Sequence, residues 1–414
     1  MIIIEEITMY RDLPSPHYLQ LLMLILSGIL SGAPLEANAL SPAAQVGQKL
    51  FFDTNLSASR KMSCATCHDP NNHYAPSNNL AVQLGGPNLN LPGTRAVPTL
   101  TYKDYTPPYS DLLDNPDGVS APGPGGGFTQ DGRAPTLAAQ TQIPLLAANE
   151  MANTSIADVV NKIQNSTYAS LFLQAFGSTA FDDIAAAFAD AQAALQAYQL
   201  EDVSFHPYTS KYDLYSSNKI GGTLTASEAR GLAIFNDPNR GNCFACHFSG
   251  AGSNGSVALF TDFSYEAISV PRNNAIPANA LFRGLPTSYD LGICSRPDHP
   301  PLTSAQYCGM FKTPTLRNVA TRQVFFHNGQ FKSLSDVIHF YNTRDTNPEL
   351  WYPTVNGVVQ KFNDLPAIYR GNIDTQMPLD GRAPGSQPPM SAQDEQDLEA
   401  FLNTLTDGYK PPSN

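Results

Sequence analysis

Basic residues are scarce in this chain. Its 414 residues hold 24 Lys and Arg against 36 Asp and Glu, a net charge of −12, and the bases nowhere form a run. A surface of that sign repels a phosphate backbone, which excludes nucleic acid as a partner. Membrane-length apolar runs are missing as well: the N-terminal run from Tyr18 to Leu30 covers thirteen residues, short of the ~20 that cross a bilayer but the length of a signal-peptide core. Tryptophan occurs once, at Trp351, and cysteine six times. Disorder is excluded, because 42% apolar residues suffice for buried cores.

What is present begins with a leader. Ala37-Asn38-Ala39 follows the apolar run as an A-x-A cleavage site, so residues 1–39 read as a signal peptide removed after Ala39. The segment ahead of the run is unusual, since Glu5, Glu6 and Asp12 outweigh Arg11, as a start codon placed too far upstream would give. The expectation is an exported, periplasmic chain, still acidic and not an integral membrane protein once processed. Glycine (29) and proline (34) are plentiful, so helices should be pinned among long loops. The length suits two or three domains.

Four of the six cysteines fall in two C-x-x-C-H motifs, Cys64-Ala65-Thr66-Cys67-His68 and Cys243-Phe244-Ala245-Cys246-His247. Two thiols one helical turn apart can each add to a porphyrin vinyl group, and the next residue presents an imidazole to the iron. A zinc site or a redox dithiol needs no His directly after both pairs. Two covalently bound haem c groups are therefore expected. The motifs sit in a repeat: Gly47, Leu50, Phe51 and Asp53 match Gly231, Ile234, Phe235 and Asp237 at a constant offset of 184. Ser41-Pro42 and the capping box Thr225-x-x-Glu228 predict a helix at the start of each copy. The Ala-rich stretch Phe181 to Leu200 predicts a helix closing the first.

The fold expected is mainly α, two cytochrome c-like haem modules in one chain with long Gly/Pro-rich loops. The first module spans residues 40–202, 203–222 is a linker, and 223–414 is the second module.

From about Pro42 to Tyr409 the sequence resembles the di-haem cytochrome c peroxidase family, and within it the MauG group. The resemblance is carried by Asp131-Gly132-Arg133, Asn149-Glu150-Met151, Phe311-Lys312-Thr313-Pro314-Thr315-Leu316-Arg317-Asn318-Val319 and Phe326-His327-Asn328-Gly329. It implies hydrogen peroxide as substrate, with a small electron-donor cytochrome or cupredoxin, or a protein substrate, as partner. Glu150 matches the carboxylate that moves a proton between the peroxide oxygens. The first haem, on His68, should be open, because the stretch where typical members carry a blocking His reads Val82-Gln83-Leu84-Gly85-Gly86. His73 lies too few residues from His68 to wrap round the porphyrin edge.

The second haem, on His247, turns on Tyr341. Fourteen residues beyond the His of the aromatic-His-x-Gly motif, the MauG group has Tyr where other members have Met, and fourteen from His327 is Tyr341. Independently, Ser333-x-x-Asp336 starts a helical pattern with Leu334, Val337, Ile338 and Tyr341 on one apolar face. Met310 is the rival ligand. A phenolate favours oxidised iron and a thioether favours reduced iron, so the two choices separate a MauG-like enzyme from a conventional peroxidase with a His/Met donor haem. A non-catalytic di-haem carrier or sensor is the third reading.

Two family features are missing. The Trp that precedes Asp-Gly-Arg is here Gln130, and the Asn of the calcium-binding Arg-Asn-x-Pro is Ala96, leaving calcium doubtful although the carbonyls of Arg322 and Val324 could serve. Cys294 and Cys308 should pair as a disulfide in an oxidising compartment. Arg133 and Arg317 are candidates for the haem propionates. His206, His299 and His339 are read as ordinary surface or loop residues.

Overall fold

Gly47 and Gly231, related by the repeat, mark the places where each half of the molecule packs most tightly. A Cβ on Gly47 would stand 1.9 Å from the Ala194 carbonyl oxygen, and one on Gly231 would stand 1.9 Å from that of Asp397. Only a residue without a side chain lets two helix backbones approach so closely. The computed structural model describes residues 39–412, apart from 117, 119, 253, 254, 280, 283, 284 and 287. The leader, except Ala39, lies outside the described residues.

In the first half, α1 (Pro42–Phe52) starts as predicted, with Ser41 Oγ accepting from Ala44 N at 3.1 Å and Pro42 in the first turn. It crosses the Ala-rich helix Ile184–Glu201, capped by Asp183. Ser41 N and Oγ also bind the Glu201 carboxylate at 2.8 and 2.7 Å, tying the start of one helix to the end of the other. Between them run α2 (Cys64–Cys67), α3 (Leu137–Leu146), α4 (Ile156–Gln164) and α5 (Ala169–Phe176), which makes the Ala-rich helix α6. Val46, Leu50, Phe51, Val159, Phe172, Leu195, Tyr198 and Phe205 form the core.

The second half repeats the plan. After α7 (Lys211–Ser216), the reciprocal capping box forms at Thr225 and Glu228 and starts α8 (Ala226–Phe235). Following the short α9 (Pro301–Ser304), α10 (Leu334–Thr343) is capped by Ser333, and α11 (Ala392–Asn403) crosses α8 at Gly231. Arg230 clamps Asp397 across that crossing at 2.6 and 2.8 Å. Phe235, Phe260, Ile338, Phe340, Leu398 and Phe401 make a second core.

The fold is mostly helical. Among the described residues every sheet is two-stranded, as in the antiparallel pair Tyr265–Glu266 with Phe311–Lys312. The stretch read as a linker is packed at both ends, Phe205 in the first core and Tyr212 in the second, and Leu40–Asn414 is one compact unit. No described helix is long and apolar enough to cross a membrane.

Candidate functional site

The two C-x-x-C-H motifs adopt matching turns. Cys64–Cys67 is one helical turn and Cys243–Ala245 a 3-10 turn, and the backbone N–H of the following His closes each one, His68 to Cys64 O at 2.9 Å and His247 to Cys243 O at 2.8 Å. All four motif cysteines are free thiols, whereas Cys294 and Cys308 form the expected disulfide. Burial pushes the Cys64 and Cys243 thiols up to about 12.

Both imidazoles are held the same way. His68 Nδ1 lies 3.1 Å from the Tyr74 carbonyl and His247 Nδ1 lies 3.0 Å from that of Phe260. A ring that donates through Nδ1 keeps a lone pair on Nε2, the form an axial ligand needs. Burial pushes both histidines down to about 4, so they are neutral near pH 7. The carbonyl residues are themselves fixed: Tyr74 and Phe260 both have φ +55°, and each accepts from a matching segment. Leu100 N reaches Tyr74 O at 3.2 Å and Leu316 N reaches Phe260 O at 3.3 Å, while Thr99 and Thr315 hydroxyls bind the preceding carbonyls, both at 2.6 Å. Tyr74 and Phe260 were invisible to sequence reasoning, since an aromatic residue carries no sign of a left-handed backbone. The repeated Pro-Thr-Leu at Pro98 and Pro314 was the available clue.

Beside His247 opens a cavity of about 270 Å³ whose walls include Cys243, Cys246, Phe326, Ile338 and Tyr341. Tyr341 is on α10 where the periodicity put it, and burial, followed by the nearby Cys246 and Cys243 thiols, raises its phenol well above the ordinary range. Met310 is not among the lining residues; its carbonyl accepts from Ile293 N at 3.1 Å, just outside the loop closed by the disulfide.

Glu150 faces the other motif. Its carboxyl acts electrostatically on both Cys64 and Cys67 and is raised above the usual carboxylate range by burial. The loop that lacks a His runs against it: Gly86 N donates to Glu150 O at 2.8 Å, and a Cβ on Gly85 would stand 2.4 Å from the Asn149 carbonyl. His73, at φ +51°, contributes its carbonyl to Thr99.

The arginines expected to meet propionates are otherwise engaged, Arg133 by Asp131 and Arg317 by Asp213. Instead Lys103, Lys312 and Arg322 line the cavity, with no carboxylate ion pair to any of them among the described residues. Burial, with mutual repulsion adding to it for the lysines, pushes Lys103 to about 8, Lys312 to about 7 and Arg322 to about 10. Sequence reasoning missed this trio because its members come from three segments remote along the chain. Gln130 also lines the cavity; its Nε2 donates to Ala96 O at 2.9 Å and its Oε1 is buried without a partner. The other histidines do ordinary work: His339 meets Glu395 at 3.0 Å, His299 meets Asp111 at 3.0 Å, and His206 meets the Leu200 carbonyl.

A mostly helical chain with two matched histidine sites, a cavity at one and a buried carboxyl at the other, has the form of a two-centre haem peroxidase. Comparison with known proteins agrees. Residues 41–220 match the di-haem cytochrome c peroxidase family. The methylamine utilization protein MauG of Paracoccus denitrificans is 32% identical over 382 residues, 89% of each chain. Cytochrome c551 peroxidase of Pseudomonas aeruginosa is 25% identical over 78% of each. The solved structure of the diheme peroxidase BthA from Burkholderia thailandensis is similar at a TM-score of 0.78 and 40% identity, covering 88% of this chain and 86% of that one. This chain belongs to the di-haem cytochrome c peroxidase family, in its MauG-like group. It is accordingly a haem-dependent oxidoreductase that takes peroxide as substrate.

Proposed function

We propose that this protein is an exported, periplasmic MauG-like peroxidase carrying two covalently attached haem c groups, one per module, in residues 40–202 and 223–414 joined by 203–222. Cys64 and Cys67 attach the first haem and Cys243 and Cys246 the second. His68 and His247 are the proximal ligands, and Tyr341 is the second protein ligand at the His247 site. The residues fit such a group: neutral imidazoles held by backbone carbonyls through Nδ1 suit iron ligation through Nε2, and three cations without carboxylate ion pairs among the described residues suit the haem carboxylates. Arg322 donates to the carbonyls of Val97 and Val324 at 3.0 and 3.2 Å. A guanidinium therefore uses a carbonyl that calcium would need, and the proposed cofactor set omits calcium.

When bound, the haem iron supplies a site for peroxide and a store of oxidising equivalents. The chain's residues do the rest. His68, held by the Tyr74 carbonyl, would hold the iron of one centre; Glu150, protonated more readily than an ordinary carboxyl, would hold and deliver the proton that peroxide cleavage needs. Tyr341 is a protonated phenol in the haem-free chain; on giving up that proton to iron it would supply an anionic oxygen, which favours the oxidised state. The partner would be an electron-donor cytochrome or cupredoxin, or a protein substrate.

The observation that carries the MauG-like form of this reading is that Tyr341 lines the His247 cavity and Met310 does not. Low-temperature EPR of the oxidised protein tests it. One high-spin and one low-spin ferric signal, the second altered in Tyr341→Phe, is the expected result. Two low-spin signals indifferent to Tyr341 would overturn it.

A further inference from the structure

With Gln130 in place of the family Trp, the cavity wall lacks an oxidisable ring at the position between the motifs. Another aromatic group stands at a junction of the two halves. Tyr102 is 2% exposed and donates its hydroxyl to Asp407 Oδ2 at 2.6 Å. Asp407 is held by further donors: Asn318 Nδ2 binds Oδ2 at 2.8 Å, and Thr209 N binds Oδ1 at 2.9 Å. Tyr102 and Asn318 occupy matching positions after the repeated Pro-Thr-Leu, with φ +60° and +61°. The second copy thus has a plain amide where the first has a redox-capable phenol. Left-handed backbone at a bulky residue is unfavourable and clusters at functional sites.

Tyr102 is linked to the His68 site by short contacts and neighbours the His247 cavity along the chain. Its N–H donates to Phe205 O at 2.8 Å; the Phe205 ring stacks on Tyr74 at 3.8 Å, and the Tyr74 carbonyl holds His68. On the other side, the adjacent Lys103 lines the His247 cavity. The ring of Tyr208 lies 4.9 Å from that of Tyr102, and the Arg317 guanidinium stands 4.8 Å from both.

We propose that Tyr102 is a redox-active tyrosine that relays oxidising equivalents between the two centres, with Asp407 as its proton acceptor. The proposal rests on the peroxidase reading. In the step, the Tyr102 O–H bond breaks, the proton passes to Asp407 Oδ2 to give a carboxylic acid, and one electron passes to the centre left oxidised by peroxide reduction. The product is a neutral phenoxyl radical, which takes one electron from the other centre and regains its proton from Asp407, restoring the tyrosine and the carboxylate. The Arg317 cation over the ring disfavours a charged tyrosyl cation, so loss of the electron requires loss of the proton, and the 2.6 Å bond provides it.

Freeze-quench EPR of the intact haem-loaded protein, treated with peroxide without an electron donor, tests this while haem absorption is followed in parallel. The expected result is an organic radical that narrows when ring-deuterated tyrosine is incorporated and disappears in Tyr102→Phe but not in Tyr208→Phe. Asp407→Asn, which keeps a hydrogen-bond acceptor but removes the base, should slow its appearance about 100-fold. In wild-type protein, an exchangeable deuteron coupled to the radical reports the proton held between the two oxygens, a readout that does not depend on any variant folding. A haem response to peroxide with no tyrosyl radical, or with one indifferent to Tyr102, overturns the relay and leaves the peroxidase standing. Haem absorption unmoved by peroxide overturns both.

Discussion

His247 Nδ1 stands 3.0 Å from the Phe260 carbonyl oxygen, so the ring is fixed by backbone. Burial keeps it neutral, with its ionisation lowered from 6.5 to about 4, as for His68. Below the ordinary value the unfolded chain takes up protons that the folded chain refuses. Stability present at neutral pH is therefore lost as the pH falls from 6.5 toward 4. In the haem-free chain this stability should hold above about pH 6.5 and fall progressively as the pH drops toward about 4, read by denaturant melts at a series of pH values. Stability unchanged between pH 6.5 and 4 would contradict this arrangement.

Replacing Tyr341 with Met distinguishes ligand from wall. Since a thioether favours reduced iron, the midpoint potential of the second centre should rise by on the order of 0.1 V, within the ~0.8 V that axial ligands command. Spectroelectrochemistry measures it; an unchanged potential would mean that Tyr341 only lines the cavity.

Glu150→Gln keeps the size and removes the titrating proton. Formation of the peroxide-derived species should slow by about 10²–10⁴-fold in stopped-flow absorption, the usual worth of a positioned acid–base group. Because burial raises the Glu150 carboxyl, the wild-type protein also loses stability as pH rises through its folded value. The Gln variant should lose that slope in denaturant melts.

Gly231→Ala places a Cβ 1.9 Å from the Asp397 carbonyl, a backbone atom that cannot swing aside. The α8–α11 crossing must open, at a cost of about 3 kcal/mol or more, seen as a lowered Tm. Gly47→Ala should do the same to the first half.

The disulfide closes a loop with a separation of 14 residues. Converting both Cys294 and Cys308 to Ser should cost about 3 kcal/mol by loop entropy, measurable by urea unfolding, while the spectra of both centres stay unchanged.

Much of this was legible in the chain. Ser41-Pro42, Thr225 with Glu228, and Ser333 all cap helices where their local chemistry predicts, because a cap needs only residues three apart. The two attachment motifs were legible for the same reason. Arg133 and Arg317 were not: a guanidinium takes whichever carboxylate the fold brings near, and the fold brings Asp131 and Asp213. Lys103, Lys312 and Arg322 gave no signal, because what sets them apart is the missing ion partner, a property of space and not of spacing.

The sequence by itself determined the elements, the repeat and the paired motifs, since these depend on neighbours a few residues away. Tertiary structure decided which carbonyl fixes each histidine, which side chain faces the His247 cavity, and the meeting of Tyr102 with Asp407 across 305 residues. Those contacts join segments remote along the chain, and their geometry follows only once two helix pairs have closed on their glycines.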